Sequence, residues 1–369
     1  MSHFEWGFCQ LQYKLIRQSN KMDKMNVFVE GVCDQMCPEN EIKVRTREKL
    51  VHFFEKNPEN QRVETGRFVK AFARSAAGKT IEAHDLRTLR ALRVTVNYLL
   101  TVIIADKRKP FHFVYDFIFD RLRAVRQEIV MQNLSPGDTL TLIEPIIFFL
   151  IYSRYRLCEQ PLANFDPKIC RQHTTECIQT ALVCYDQGGG SAELANRYLF
   201  EAIYLVTNLG NVDALMRGIS VARGMRSGSN RTFEDALKMS LLCWQKNYYR
   251  VLEMWSTQPT ICCLAATENV PDIREKFLTT LATAYHSKHL TVPLEWLVRI
   301  LRYGDRCQLQ RDLRRLNVEI INGTDAKFDK VAFEKREKNL VHCREAIVEE
   351  KLTTHPFSLN IKFSTHAPS

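Results

Sequence analysis

The chain has 369 residues and a mass of 43.0 kDa, too long for one minimal domain and long enough to bury a sizeable core without staples. With 45% hydrophobic and 25% charged residues, and only 14 Gly and 12 Pro, it is neither a disordered chain nor a collagen-like or low-complexity one. Its 52 Lys and Arg against 42 Asp and Glu give a net charge of +10, which permits an acidic or phosphate-rich partner without demanding one.

Residues 1–30 form a weakly patterned arm. Met1–Gln18 has no signal-peptide pattern, because Glu5, Gln10, Gln12 and Lys14 interrupt any apolar run. Regular helical patterning starts after the Cys33–Pro38 segment. Pro38 suits the first position of a helix, and Glu39 and Glu41 in its first turn suit the helix dipole. That helix is predicted to run through Leu50 to Phe54 and stop near Asn57-Pro58.

From Asp85, Leu86, Leu89, Leu92, Val96, Leu99 and Ile103 recur at helical spacing, with Arg87, Arg90 and Arg93 on a neighbouring stripe. Lys107–Pro110 ends this helix. The next carries Val114, Ile118, Leu122, Val125 and Ile129 on one face and Arg121, Arg123 and Arg126 on the others. Ser135-Pro136-Gly137-Asp138 reads as a turn and a sub-domain boundary. The division predicted is 1–30 as an arm, 31–135 as an N-terminal helical part and 136–290 as a helical-repeat part. A winged helix at 291–335 and a C-terminal helix and tail at 336–369 complete it.

Residues 139–290 continue as helix after helix, broken at Gly188–Ser191, Asn208–Asn211 and Arg226–Asn230, without a strict repeat length. Leu140–Tyr152 is the most apolar stretch, but it contains Glu144 and Pro145 and is too short to span a bilayer, so no membrane insertion is expected. The 12 cysteines are scattered. Cys170, Cys177 and Cys184 sit within helical patterns and read as buried hydrophobes of a reducing compartment.

Near Leu290 the pattern changes. A short helix opens at Val292-Pro293 and ends around Tyr303-Gly304, and a second runs from Asp305 to Leu316. Val318–Ile321 reads as a strand, Asn322-Gly323 as a tight turn and Phe328–Phe333 as a second strand. Helix, helix, strand, turn, strand is the winged-helix order. A charged helix is expected from Glu334.

Ala76–Thr80 resembles the end of a phosphate-binding loop, but the first glycine of that motif is replaced by Ala73 and the preceding pattern is helical. Cys33 and Cys37 make half a zinc site at most, because Cys9 and His52 do not complete a standard second pair. His52, His84 and His112 are expected to cap or pack. No catalytic constellation has a recognisable signature, so no catalysis, metal or cofactor is predicted.

Two basic stripes remain. Asp85–Arg126 holds nine Lys and Arg against four acids, and Arg299–Arg315 holds six Arg against two acids. Charged helix faces are usually only solvated. The second stripe lies on the recognition helix of the predicted winged helix. Arg306, Arg311, Arg314 and Arg315, with Lys327 and Lys330 of the wing, are therefore the expected contacts to RNA or DNA phosphates. No aromatic-stacking signature of a single-strand reader is visible along the chain.

Taken together, several segments resemble the Sac-three/GANP family of PCI-related proteins. They are Gly31–Glu41 (Gly-Val-Cys-Asp-Gln-Met-Cys-Pro-Glu-Asn-Glu), Val69–Lys79, Asp85-Leu86-Arg87 with Val94–Leu99, and Val114–Glu128, with a weaker match at Asn247–Arg250. The resemblance covers about residues 28 to 335 and is closest to the short, stand-alone branch of the family. It implies an all-α, PCI/TPR-like helical-repeat array ending in a winged helix. Cys33, Cys37, Pro38, Asp116, Arg121, Arg123 and Arg126 would be structural signature residues.

The resemblance also implies a non-catalytic scaffold. Its partners would be a PCI-domain protein and a small acidic subunit, in nuclear mRNA export of the TREX-two type, at the nuclear pore or in the nucleus and cytoplasm. The short branch carries an alternative expectation, a role in centrosome duplication and spindle assembly with centrosomal or spindle partners. Arg123 and Arg126 are expected to pair with acids or cap helices, and not to bind RNA.

Overall fold

A computed structural model describes residues 28–73, 82–188, 196–225, 230–287, 289–336 and 339–354. The arm before Phe28, Cys9, the Ala76–Thr80 turn, Gly189–Ser191, most of the Arg226–Asn230 break and the tail after Thr354 lie outside these residues. The described chain is mostly helical, an all-α fold, and divides into two compact units. One comprises residues up to Ile146 together with Gln172–Cys184. The other comprises Ile147–Arg171 and the described residues from Tyr185 onward.

The first unit opens with α1 (Glu39–Arg47), α2 (Leu89–Tyr98, prolonged by a wide turn over Leu99–Ile103) and α3 (Phe111–Met131). Two expected boundaries move. Helix α1 stops well before Phe54, because Lys49 takes a left-handed φ of 57° and Leu50 N–H closes back on the Arg45 carbonyl at 2.8 Å. His52 then caps a short turn at Phe53–Glu55. Helix α2 begins at Leu89, not Asp85, where the Thr88 hydroxyl accepts from Ala91 N–H at 3.2 Å. Leu86 is buried, but from the extended segment ahead of the helix.

Helices α4 (Pro136–Arg156) and α5 (Pro167–Gln187) follow. The turn expected at Ser135–Asp138 is the cap and first turn of α4, since Ser135 Oγ accepts from Asp138 N–H at 3.1 Å and Pro136 occupies the first helical position. Cys170, Cys177 and Cys184 on α5 are buried, as their spacing predicts.

The second unit continues with α6 (Arg197–Thr207), α7 (Val212–Arg223), α8 (Arg231–Trp244), α9 (Tyr248–Thr257), α10 (Thr260–Ala266) and α11 (Val270–Ala284). Asn211, Asn230 and Asn247 each accept a hydrogen bond from the backbone three residues on, so three of these helices start on an asparagine cap. Helix α6 packs on α8 and α10, α8 on α9, and α9 on α11, the neighbour-on-neighbour stacking of a helical array.

A small winged module follows: β1 (Val292–Pro293), α12 (Leu294–Leu301), α13 (Arg306–Arg315), β2 (Glu319–Ile321) and β3 (Asp325–Lys327). The antiparallel sheet has the order β1-β3-β2, with Ala326 opposite both Val292 and Ile320. Asn322 and Gly323 turn the hairpin with φ of 51° and 68°.

The second wing strand is Asp325–Lys327, displaced from the expected Phe328–Phe333. There the Asp329 side chain accepts from Ala332 N–H at 2.9 Å and starts a one-turn helix, α14 (Lys330–Glu334). The C-terminal helix α15 spans Ala346–Thr354, and does not start at Glu334. No helix among the described residues is long and apolar enough to cross a membrane.

Candidate nucleic-acid interface

The signature segments build a buried polar core in the first unit. Cys33 N–H donates to Leu86 O at 3.0 Å and Thr88 N–H to Cys33 O at 2.9 Å, which sews the Gly31–Glu41 segment to the approach of α2. Gly31 is required at this seam, since a Cβ there would meet the Arg87 carbonyl oxygen at 2.5 Å. Pro38 precedes α1 as its N-cap, and Cys37 is buried with its thiol pushed up by burial and by the Glu41 charge. Cys33 is half-buried, its Sγ 3.5 Å from Gln35 O. No cluster of His, Cys, Asp or Glu among the described residues is placed to hold a metal ion.

Two carboxylates organise this core. Glu55, fully buried, accepts from His52 N–H at 3.0 Å, Val69 N–H at 3.1 Å and Arg121 at 3.4 Å, and also pairs with Arg45. Glu128 accepts the Arg87 guanidinium at 2.9 and 3.0 Å and Arg87 N–H at 2.8 Å, and Lys70 Nζ lies 3.0 Å from it. His52 stacks on Phe117; burial, helped by the Arg121 charge, lowers its ring to about 4.

On α3, Arg121 also pairs with Asp120 and lies over Phe117, Arg123 lies 3.8 Å over the Phe72 ring, and Arg126 donates to Glu176 at 2.8 Å. Burial alone would raise the Glu176 carboxyl, but hydrogen bonds from His173 and Arg126 outweigh it and hold it at about 2. Asp116 is exposed. The first basic stripe is therefore not simply a solvated face. Arg87 and Arg121 are buried in ion pairs, a consequence of carboxylates that helical periodicity does not reveal as partners.

The second stripe is built differently. Asp305 caps α13 by accepting from Gln308 N–H at 2.7 Å, and Leu309 and Leu313 anchor the helix on its buried face. Arg311, Arg314 and Arg315 stand at i, i+3 and i+4, so they share one face. All three are exposed and make no ion pair within 4.0 Å among the described residues.

The other three expected contacts are engaged. Arg306 is half-buried, donates to Gly323 O and lies 3.6 Å from Glu295. Lys327 faces Glu319 across the hairpin at 3.9 Å. Lys330 is the first residue of α14, off the wing strands, and lies 3.9 Å from Glu334. The fold thus concentrates the predicted basic set into one three-arginine face.

A family model described as the SAC3/GANP family matches residues 36–322. SAC3 family protein 1 of Schizosaccharomyces pombe is 24% identical over 389 aligned residues, taking in 94% of this chain and 37% of that protein. Protein xmas of Drosophila melanogaster is 32% identical over 179 residues, 47% of this chain and 9% of the fly protein. SAC3 family protein B of Arabidopsis thaliana is 32% identical over 130 residues, 35% of this chain and 8% of that protein. The chain therefore spans well under half the length of these relatives.

Proposed function

The chain belongs to the SAC3/GANP family, a scaffold-type family, and from that premise we propose that it is a non-catalytic scaffold for a PCI-domain partner in nuclear mRNA export. A small acidic subunit assists the pairing, and the winged module contributes auxiliary contacts to nucleic-acid phosphates. The protein would work in the nucleus, including at its pores, and in the cytoplasm.

The observation that carries the nucleic-acid part is the face formed by Arg311, Arg314 and Arg315 on α13, exposed and without carboxylate partners among the described residues. A guanidinium fork that no protein carboxylate occupies is suited to a phosphate. The helix that bears it is the second of the winged module, the position of the recognition helix that lies against the nucleic acid in helix-turn-helix proteins.

Reversing the three charges to Glu is expected to weaken RNA binding and to flatten its dependence on log salt by about two to three, one increment of ~0.7–0.9 per lost phosphate contact. An unchanged slope would remove the phosphate contacts from the proposal. The scaffold role is tested by purifying the tagged protein from cells with and without nuclease. A PCI-domain protein and a small acidic protein recovered after nuclease would support it. Centrosomal and spindle proteins recovered in their place would move the function to mitosis.

A further inference from the structure

The second unit contains a concavity of about 490 Å³ to which α13 contributes no wall; it is lined by Tyr249 of α9, Phe277 of α11, and Trp296, Arg299, Ile300 and Arg302 at α12. The alternation of α12 builds it. Leu294, Leu297 and Leu301 turn inward to the winged module, which leaves Trp296 and Arg299 on the outer side. Tyr249 and Trp296 are 39% and 36% exposed, well above what a core aromatic shows, and the Arg250 guanidinium lies 5.8 Å from the Tyr249 ring centroid. No carboxylate lines the concavity. Neither Arg299 nor Arg302 makes an ion pair or side-chain hydrogen bond among the described residues, and the Arg302 Nε is shielded from solvent without an acceptor.

Arg302 is also held in place at some cost. It closes α12 with φ 56° and ψ 40°, a left-handed position that glycine takes most readily. Arg274 fixes that conformation, donating to Leu301 O at 2.9 Å and to Arg302 O at 2.8 Å. Arg274 is itself buried and paired with Glu345 at 2.7 and 2.9 Å, with its guanidinium 3.9 Å over the Tyr303 ring. A buried ion pair thus fixes the backbone of a left-handed arginine at the rim of an aromatic concavity.

We propose that this concavity takes one nucleotide of a single-stranded nucleic acid, its base against Tyr249 and Trp296 and its phosphate between Arg299 and Arg302. The volume suits a single small ligand. Aromatic faces stack any base, so the site selects single strands and not sequence. Two guanidinium groups without protein partners favour a phosphate over an apolar peptide anchor, and the chain's net charge of +10 favours the same class of ligand. The proposal takes its ligand class from the function proposed above, but uses none of the α13 arginines.

The test uses the full chain, a labelled 12-mer of oligouridine and a duplex of the same length. Trp296→Ala is expected to weaken oligouridine binding about five- to 150-fold, the range measured for loss of one base stack, and to leave duplex binding unchanged. Arg302→Gly removes the guanidinium while suiting the left-handed backbone, so it is expected to weaken oligouridine binding with melting unchanged or raised.

Oligouridine binding that survives both substitutions, yet falls when Arg311, Arg314 and Arg315 are reversed, would overturn this site and leave the proposed function standing. No binding of either probe by the unmodified chain would overturn this site together with the α13 phosphate contacts, and leave the scaffold role to its own test. If a peptide of alternating Glu and Phe binds in a Trp296-dependent way and oligouridine does not, the occupant is a protein segment and the proposal fails.

Discussion

Helices α3 and α13 each carry a cluster of three arginines, Arg121, Arg123 and Arg126 on the first and Arg311, Arg314 and Arg315 on the second, and the two sets do opposite work. On α3, Arg121 and Arg126 are committed to Glu55, Asp120 and Glu176, and Arg123 lies against an aromatic ring. On α13, Arg311, Arg314 and Arg315 make no ion pair within 4.0 Å among the described residues. The difference lies in what the facing elements supply. A buried guanidinium must be neutralised by the fold, whereas an exposed one costs little to leave for a partner. Basic stripes that look alike in the sequence therefore separate into a structural set and a binding set only once their carboxylates are located.

Stability measurements can break this comparison. The largest effect is expected for Glu128→Ala, which strands the fully buried Arg87. Urea unfolding should show a loss of about 3–5 kcal/mol, and a loss below 1 kcal/mol would mean that the pair is not structural.

A smaller effect appears only in acid. The Glu176 carboxyl sits at about 2, against an ordinary value of 4.5, so its pairing stabilises the fold fully above pH 4.5 and is lost as pH falls toward 2. Arg126→Gln should therefore flatten stability across that window. His52, lowered from 6.5 to about 4, gives a separate slope: the unfolded chain protonates first, so stability falls as pH drops from 6.5 to 4, and His52→Gln should remove that share.

Thr88→Ala should cost about 1 kcal/mol through loss of the α2 cap. Replacing Arg311, Arg314 and Arg315 with Ala should change stability least, by under about 0.5 kcal/mol, since exposed sites without special features tolerate substitution. Melting that drops markedly in this variant would place these arginines with the structural set.

Much of the architecture is written in local pattern. The apolar spacing of Val114–Ile129 fixes α3, and Asn322-Gly323 marks the wing hairpin because both positions need positive φ. Boundaries that depend on single caps were less legible. Lys49 ends α1 in a left-handed conformation that its residue type does not advertise, and Asp329 converts an apparent strand into the start of α14.

The candidate sites follow the same division. The α13 arginines are visible as a run within one helix. Glu55 is not visible as the partner of Arg45 on α1 and Arg121 on α3, because nothing in its neighbourhood tells a buried hub from a surface acid. The aromatic concavity escapes sequence reading because Tyr249, Phe277 and Trp296 come from three different helices and meet only in space.

The pairing of Arg274 with Glu345 has a consequence for where this protein can be cut. The family model matches residues 36–322, yet the carboxylate that neutralises Arg274 arrives from Glu345, well past that limit. Tyr155 reinforces the same late segment, accepting from Glu345 N–H at 3.0 Å and donating to Glu349 at 2.8 Å. A fragment trimmed to the bounds of the family model would leave an orphaned cation in its interior. The alignment to the Schizosaccharomyces pombe relative, which takes in 94% of the chain, reaches further, and a fragment meant to keep the second unit closed has to include Glu345 as well.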